Sequence, residues 1–348
     1  MWRCIVAVFG VFILSGCPPD MMNGDPMMDA GNGDSRPPDG GVPRAVKFNQ
    51  IQMRGTVNSY HDYLEHDGEG VIPEVAYRHL ALDRQAAEQG IRQFDFDLSS
   101  DRVAGNFLQP ENAENDIDDL SHCVDWFDCL WQLADWCDAH PDHPMVVVLV
   151  GESLVNLDLM PHLHRQLDLV EETIAFTLGR DRIYKPAEMR RGFPSLRAAI
   201  DGIGWPTVDE TRGRVLFLLK DRGLPRTEYI VNGGLDPDER LLFVAGDPEL
   251  VDDPALADEV IFTFEPDWPW DYETDRDALP LIESLVDANL LVHATTDDPV
   301  FAAALRDAGV QMIGTRFPEV LVPVLEQPIV CNAATRPEGC AAAALEPR

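Results

Sequence analysis

Short apolar runs alternate with longer amphipathic segments through most of this 348-residue chain. The runs are rich in β-branched residues and mostly apolar throughout, as are strands buried on both faces of a parallel sheet. We predict eight strands, at residues 46–53, 91–98, 145–150, 215–219, 241–245, 260–264, 290–294 and 311–314. The apolar spacing between several of them predicts helices at 74–89, 127–139, 159–178, 279–288 and 300–308.

This alternation predicts an α/β fold, a (β/α)8 TIM-type barrel. The alternative is an open, doubly wound sheet. No glycine-rich phosphate loop follows a strand, so the nucleotide-binding form of that sheet loses its main support. In a barrel, the side chains that carry chemistry lie at the carboxyl ends of the strands.

The first seventeen residues have the layout of a lipoprotein signal peptide. Arg3 is the only early charge, an apolar run spans 4–14, and Leu14-Ser15-Gly16 precedes Cys17. The run is shorter than the ~20 residues of a membrane-spanning helix. We therefore expect cleavage before Cys17, acylation of its thiol and a membrane partner through the lipid. An ordinary membrane anchor and a chance cysteine remain alternatives.

These features predict an exported protein at the outer membrane or the cell surface. Residues 18–45 consist largely of Gly, Asp, Pro and Met and contain no aromatic residue, which predicts a disordered tether. We assign residues 46–340 to the barrel and residues 341–348 to a tail.

The formal net charge of −34 is spread along the chain. Without a basic patch, the chain cannot release counterions from nucleic acid, and it cannot dock electrostatically on anionic lipid. We therefore exclude nucleic acid as a partner. The acidity suits a protein that holds a divalent cation.

Five of the seven cysteines remain once Cys4 is cleaved off with the signal and Cys17 is acylated. In an exported protein these predict short-loop disulfides, with one cysteine left free and buried. Sequence alone leaves the connectivity open. The pairs that we expect are Cys123 with Cys129 and Cys331 with Cys340, leaving Cys137.

Two carboxylates share one face of the second predicted strand. Asp95 and Asp97 are two residues apart, opposite the face that carries apolar residues. Buried carboxylates need a positive partner. A hard cation with oxygen ligands from Asp95, Asp97, Asn58 and Glu152 is one candidate. The other is an arginine, for example Arg92.

The chain also resembles a known family. Residues 56–61 read Thr-Val-Asn-Ser-Tyr-His, and residues 90–97 read Gly-Ile-Arg-Gln-Phe-Asp-Phe-Asp. They resemble the His-Asn-Ser-Tyr-His-like motif and the Gly-x-Arg-x-x-Glu-x-Asp-like strand of the calcium-dependent phosphoinositide phospholipase C family. The likeness continues through 204–207, 212–217 and 309–315, and so covers nearly all of residues 46–340.

The resemblance implies a barrel that cleaves a phosphoinositide-like phosphodiester. Two histidines would serve as general base and general acid, and calcium would steady the developing charge. This chain departs from that pattern. Val57 stands where the first histidine falls, and residues 101–107, where the second should lie, contain no histidine. His61 is a weaker candidate to replace them.

Other departures are smaller. Asp95 is one methylene shorter than the family acid, and Arg316 replaces an acid in a late turn. We therefore expect a lipid-anchored phosphoric diester hydrolase-like protein of lipid metabolism with impaired catalysis. The alternatives are a catalytically silent surface module that binds a cation or a head group, and a structural scaffold.

Overall fold

Eight parallel strands close into a barrel in the computed structural model. The model describes residues 45–62, 77–101, 105–108, 121–153, 163–221, 223–232, 239–265, 275–340 and 345. The barrel strands are β1 (Ile51–Thr56), β2 (Gln93–Asp101), β4 (Val146–Ser153), β5 (Val215–Leu219), β6 (Leu242–Gly246), β7 (Ile261–Phe264), β8 (Leu291–Thr295) and β9 (Met312–Thr315). Two further strands pair antiparallel, β3 (Gly105–Leu108) with β2 and β10 (Ile329–Cys331) with β1. The predicted barrel is confirmed.

The barrel closes at a narrow seam. β1 pairs with β9 over four residues, but it meets β2 only where Gly55 lies opposite Gln93. A Cβ on Gly55 would collide with the Gln93 side chain. Glycine at position 55 therefore lets the two strands approach, and the Gln93 amide then donates to Thr56 O at 3.3 Å.

Helices pack outside the strands, and side chains cap several of them. Asp125 accepts from the Asp128 amide at 2.8 Å at the start of α2, and Ser195 accepts from the Ala198 amide at 3.1 Å at the start of α5. The described helices are α1 (Leu82–Arg84, continued by a π-helical turn at Gln85–Gln89), α2 (Trp126–Ala139), α3 (Leu163–Leu178), α4 (Pro186–Arg190), α5 (Leu196–Ile203), α6 (Leu224–Thr227, continued at Glu228–Asn232), α7 (Leu279–Asp287) and α8 (Pro299–Asp307).

Two predicted elements begin later than expected. The first strand starts at Ile51, because Phe48–Gln50 form a 3-10 turn whose first amide donates to Pro206 O at 2.9 Å. The helix predicted at 74–89 starts at Leu82; residues 77–81 are not helical, and residues 74–76 lie outside the described part. The short helices α4, α5 and α6 and the antiparallel strands β3 and β10 were not predicted.

The alternation along β2 separates two environments. Phe94, Phe96 and Leu98 are buried against the helices, with the Phe96 ring 4.9 Å from the ring of Trp126. Their burial fixes the register of β2, because a one-residue slip would turn apolar side chains to the wrong face. Asp95 and Asp97 consequently point the other way.

The predicted disulfides are confirmed. Cys123 bonds to Cys129 at the start of α2, and Cys331 bonds to Cys340 after β10. Cys137 is free and buried. Among the described helices, none has the length and hydrophobicity to cross a membrane.

Candidate functional site at the barrel mouth

A lysine stands among three carboxylates at the carboxyl ends of the strands. Lys220 directly follows β5, and its Nζ lies 2.9 Å from Asp95 Oδ1 and 3.0 Å from Asp97 Oδ1. The Nζ also donates to Asp95 Oδ2 at 3.1 Å. Glu265, directly after β7, places Oε2 3.6 Å from the same nitrogen. With His293 of β8, whose Nδ1 is 3.8 Å from Glu265 Oε1, we name these residues the mouth cluster.

Gly151 leaves space for the Lys220 side chain to reach Asp97. It belongs to β4, which lies between β5 and β2, and it is paired in register with Asp97. A Cβ at position 151 would lie 2.5 Å from Asp97 Oδ1 and 2.7 Å from Lys220 Cε. Any larger residue would therefore push the lysine off Asp97.

Burial and the neighbouring charges shift the pKa values of Lys220 and Asp95 in opposite directions. The Lys220 side chain is 10% exposed and that of Asp95 1%, whereas Asp97 and Glu265 are about one-third exposed. Burial lowers the pKa of Lys220, but the charges of Asp95, Asp97 and Glu265 outweigh it, so this pKa lies well above its usual value. Burial raises the pKa of Asp95, and the ammonium opposes that rise. The lysine is thus a fixed positive charge at the mouth.

His293 is buried, and among the described residues neither of its ring nitrogens has a hydrogen-bond partner. The 3.8 Å contact of Nδ1 with Glu265 Oε1 is too long for a hydrogen bond. Burial, and then the charge of Lys220, lowers the pKa of His293 to about 3. A Cβ at Gly314 would lie 3.1 Å from Nε2, so the ring packs close to β9. The imidazole is therefore neutral at physiological pH.

Two hydrogen bonds connect the turn after β1 to β2. Ser59 donates its amide to Asp95 O at 2.8 Å, and its Oγ accepts from the Asp95 amide at 2.8 Å. Asn58 takes a left-handed conformation, with φ of 45°, which asparagine tolerates better than most residues. Its Oδ1 is buried without a partner in the described part. An orphaned acceptor of this kind is suited to a cation or a donor on a ligand.

Val57 directly follows β1, and both its backbone amide and its carbonyl are hydrogen-bonded. Its amide donates to Thr315 O at 3.1 Å, and its carbonyl accepts from His79 Nε2 at 2.8 Å. His79 therefore carries its proton on Nε2. Burial lowers the pKa of His79 to about 3, which keeps the ring neutral. At this position the chain offers an apolar side chain and no proton carrier.

His61 lies in an aromatic group beside this turn. It is buried, and its ring centre is 4.5 Å from that of Tyr77. Tyr77 in turn contacts the rings of His79 and Phe317, at 5.2 and 6.2 Å. These contacts give His61 a packing role next to the mouth.

Arg316 is paired with an acid from the neighbouring loop. Its Nε lies 2.8 Å from Asp297 Oδ2, and Asp297 Oδ1 accepts from the Arg316 amide and from Thr315 Oγ1. The base that replaces the family's acid is thus neutralised locally. It adds no free positive charge to the mouth.

The alternative partner for Asp95 is wrong. The guanidinium of Arg92 donates to Ala86 O at 2.7 Å and to Ile91 O at 2.8 Å, and lies 4.8 Å from the ring centre of Trp136. Asp95 is paired with Lys220 instead. Lys220 and Glu265 were not predicted from the sequence, although each is the first residue after an apolar run, where a barrel presents its functional side chains.

Several predicted positions lie wholly or partly outside the described residues. The backbone of Glu152 pairs with Leu98 in register, but its side chain lies outside the described part. Cys17, the tether up to residue 44 and residues 102–104, within the segment expected to carry the second histidine, also lie outside it.

The chemistry of the mouth fits a hard cation in part. The orphaned Asn58 oxygen is a suitable ligand, and the three carboxyl groups of the mouth cluster outnumber its one ammonium. However, no three His, Cys, Asp or Glu side chains among the described residues form a ready metal site. In this structure Asp95 and Asp97 pair with the ammonium of Lys220.

Comparison with known proteins identifies the family. The sequence model for phosphoinositide phospholipase C, Ca2+-dependent, matches residues 46–115 and 114–319. The chain belongs to this family. No curated protein sequence shows a significant match.

Solved structures of phospholipases C share the fold. The calcium-dependent phosphatidylinositol-specific enzyme of Streptomyces antibioticus is 19% identical with a TM-score of 0.58, and the match covers 83% of this chain and 99% of that one. A calcium-dependent phosphoinositol-specific enzyme of a Pseudomonas species is 14% identical with the same TM-score, covering 82% and 96%. The family barrel is therefore retained over almost the whole length of both enzymes.

Proposed function

We infer that this chain is a phospholipase C-like barrel that recognises a phosphodiester head group but turns it over weakly or not at all. The observation that carries this inference is Val57 at the end of β1, where the resemblance calls for a histidine. An apolar side chain cannot accept or deliver a proton. Positioned proton transfer contributes roughly 10²–10⁴-fold in rate, so its loss leaves binding as the main capacity of the site.

The family's calcium belongs to the same proposal. Asn58, Asp95 and Asp97 would hold it, with Glu152 on the neighbouring strand. Bound there, the ion would supply positive charge to a phosphodiester oxygen. The chain's own residues would hold the oxygen ligands in place, through the Ser59 bridge between the turn and β2.

The lipid on Cys17 completes the proposal. A lipid-anchored barrel stays near the bilayer that carries phosphoinositide-like head groups, and its acidic surface does not need to bind that bilayer by charge. Metabolic labelling with a radioactive fatty acid should mark the wild type. A Cys17→Ser variant should lose both the label and the membrane fraction.

Turnover tests the catalytic part. We expect phosphatidylinositol vesicles with millimolar calcium to release inositol phosphate at a rate at least 10²-fold below that of the Streptomyces enzyme. A Val57→His variant should raise that rate, and Val57→Gln is the matched control of similar size. Robust wild-type turnover abolished by His61→Ala would show instead that His61 is the catalytic histidine.

The silent binding module is the second candidate. It is favoured by the fixed charge of Lys220 and the buried, neutral His293, neither of which shuttles protons easily near neutral pH. It predicts binding of glycerophosphoinositol by calorimetry without any cleavage, in the wild type and in Val57→His alike.

A further inference from the structure

Lys220 and a calcium ion would require the same oxygens. The ammonium lies 2.9 Å from Asp95 Oδ1 and 3.0 Å from Asp97 Oδ1. Calcium lies 2.3–2.6 Å from its oxygen ligands. Two cations cannot share those two oxygens at such distances, because their mutual repulsion in a poorly hydrated site is large.

We propose that Lys220 is a tethered competitor for the calcium site, which holds Asp95 and Asp97 until the ion displaces it. This inference rests on the proposed calcium site. It adds that Lys220 sets the affinity of this site for calcium, because a calcium ion from solution must displace an ammonium that belongs to the same chain.

The tether keeps that competition strong. The Lys220 amide donates to Val150 O at 2.9 Å, which fixes the base of the side chain beside β4. Gly151 leaves the path to Asp97 open. A cation fixed a few ångströms from its partners has a high effective concentration, so calcium binds more weakly than the carboxylates alone would allow.

Glu265 offers the displaced ammonium a second position. Its Oε2 lies 3.6 Å from Nζ, and its side chain is about one-third exposed. Glu265 follows β7, which lies two strands from β5 in the direction away from β2. The lysine can therefore move toward Glu265 without becoming a lone buried charge. This movement would take the positive charge away from Asp95, whose side chain is only 1% exposed.

Calorimetry of calcium binding tests the competition. We expect Lys220→Met to bind calcium at least tenfold more tightly than the wild type, because the competing charge is gone. Lys185→Met is the matched control. Lys185 pairs with Glu188 on α4 at 3.8 Å, and its loss should leave the affinity unchanged. Lys220→Met binding no tighter than the wild type overturns the competitor role alone, whereas no calcium binding by either protein overturns the calcium site and the inference together.

A second measurement uses the wild type and does not depend on the folding of a variant. An amine-acylating reagent followed by mass spectrometry should label Lys220 slowly in EDTA and several-fold faster with saturating calcium. Lys185 should label at the same rate in both. Calcium binding that leaves the labelling of Lys220 unchanged would show that the ammonium is not displaced.

Discussion

Two buried ionic clusters in this barrel are built in opposite ways. The flank cluster, outside the barrel, consists of Glu171, Asp168, Tyr229 and Arg240. Glu171 Oε1 accepts from Tyr229 OH at 2.5 Å and from the Leu241 amide at 2.6 Å, and Oε2 accepts from Arg240 at 3.3 Å. Both carboxylate oxygens of Glu171 thus accept hydrogen bonds from buried residues.

The mouth cluster leaves acceptors and donors unused. Asp95 Oδ1 meets Lys220 at 2.9 Å without hydrogen-bond geometry, and both nitrogens of His293 lack a partner among the described residues. Buried polar groups in proteins are normally satisfied. The difference teaches that the flank cluster serves stability, whereas the mouth cluster is arranged for something that arrives from outside.

The largest effect should come from breaking the flank cluster. Glu171→Ala leaves the Tyr229 hydroxyl and the Leu241 amide without their closest acceptor and removes one of the two carboxylates that pair with Arg240. Breaking a buried pair costs about 3–5 kcal/mol. Urea unfolding measures the loss. Glu88→Ala, which removes an exposed pair with Arg84 on α1 and its π-helical turn, is the control and should not move the midpoint. Equal midpoints for both variants would contradict the assigned difference.

Acid should destabilise the folded protein through His293. The folded pKa of His293 is about 3, below its unfolded value near 6.5. At this residue the unfolded state therefore binds more protons between pH 6.5 and 3, so its contribution to stability falls as the pH drops through that range, whereas the raised pKa of Asp95 acts in the opposite direction. The slope is about 1.4 kcal/mol per pH unit for one histidine.

Unfolding from pH 7.5 to 4.5 isolates this contribution. The slope of wild-type stability against pH should exceed that of His293→Leu by about 1.4 kcal/mol per pH unit, which corresponds to one proton taken up on unfolding. Identical slopes would mean that His293 is charged in the folded protein.

The smallest effect should come from His293→Leu at pH 7.5. A residue of similar volume replaces a ring whose nitrogens make no described hydrogen bond, so the exchange should be neutral or stabilising within about 1 kcal/mol. Thermal unfolding measures it. A loss comparable with that of Glu171→Ala would show that the His293 ring carries a structural role, and the comparison of the two clusters would fail.

Local sequence patterns were enough to predict the barrel fold. Apolar runs placed the strands within a few residues, because strands buried on both faces leave little choice of residue type. The start of β1 was misjudged since Phe48 is apolar but turns in a 3-10 helix held by Pro206. Helix α4, with five residues, is too short to show periodicity. Helix α5 has an amphipathic spacing over its eight residues and was overlooked.

The site was predicted only in part, for a different reason. Spacing placed Asp95 and Asp97 on one face, because alternation along a strand is local. It could not identify Lys220 as their partner, since that contact joins residues 125 apart across Gly151. Long-range pairing of charges depends on the closed barrel, and no local pattern encodes it.

The seam between β1 and its neighbours also governs when this chain can fold. β1 is the first strand, yet it is hydrogen-bonded to β9 and β10, the last two. The amino terminus leaves a ribosome or a translocation channel first. β1 therefore cannot complete its hydrogen bonds until β10, which ends at Cys331, is also outside. Contacts so far apart in sequence form slowly. Delivery of the chain and completion of the barrel are therefore separated in time.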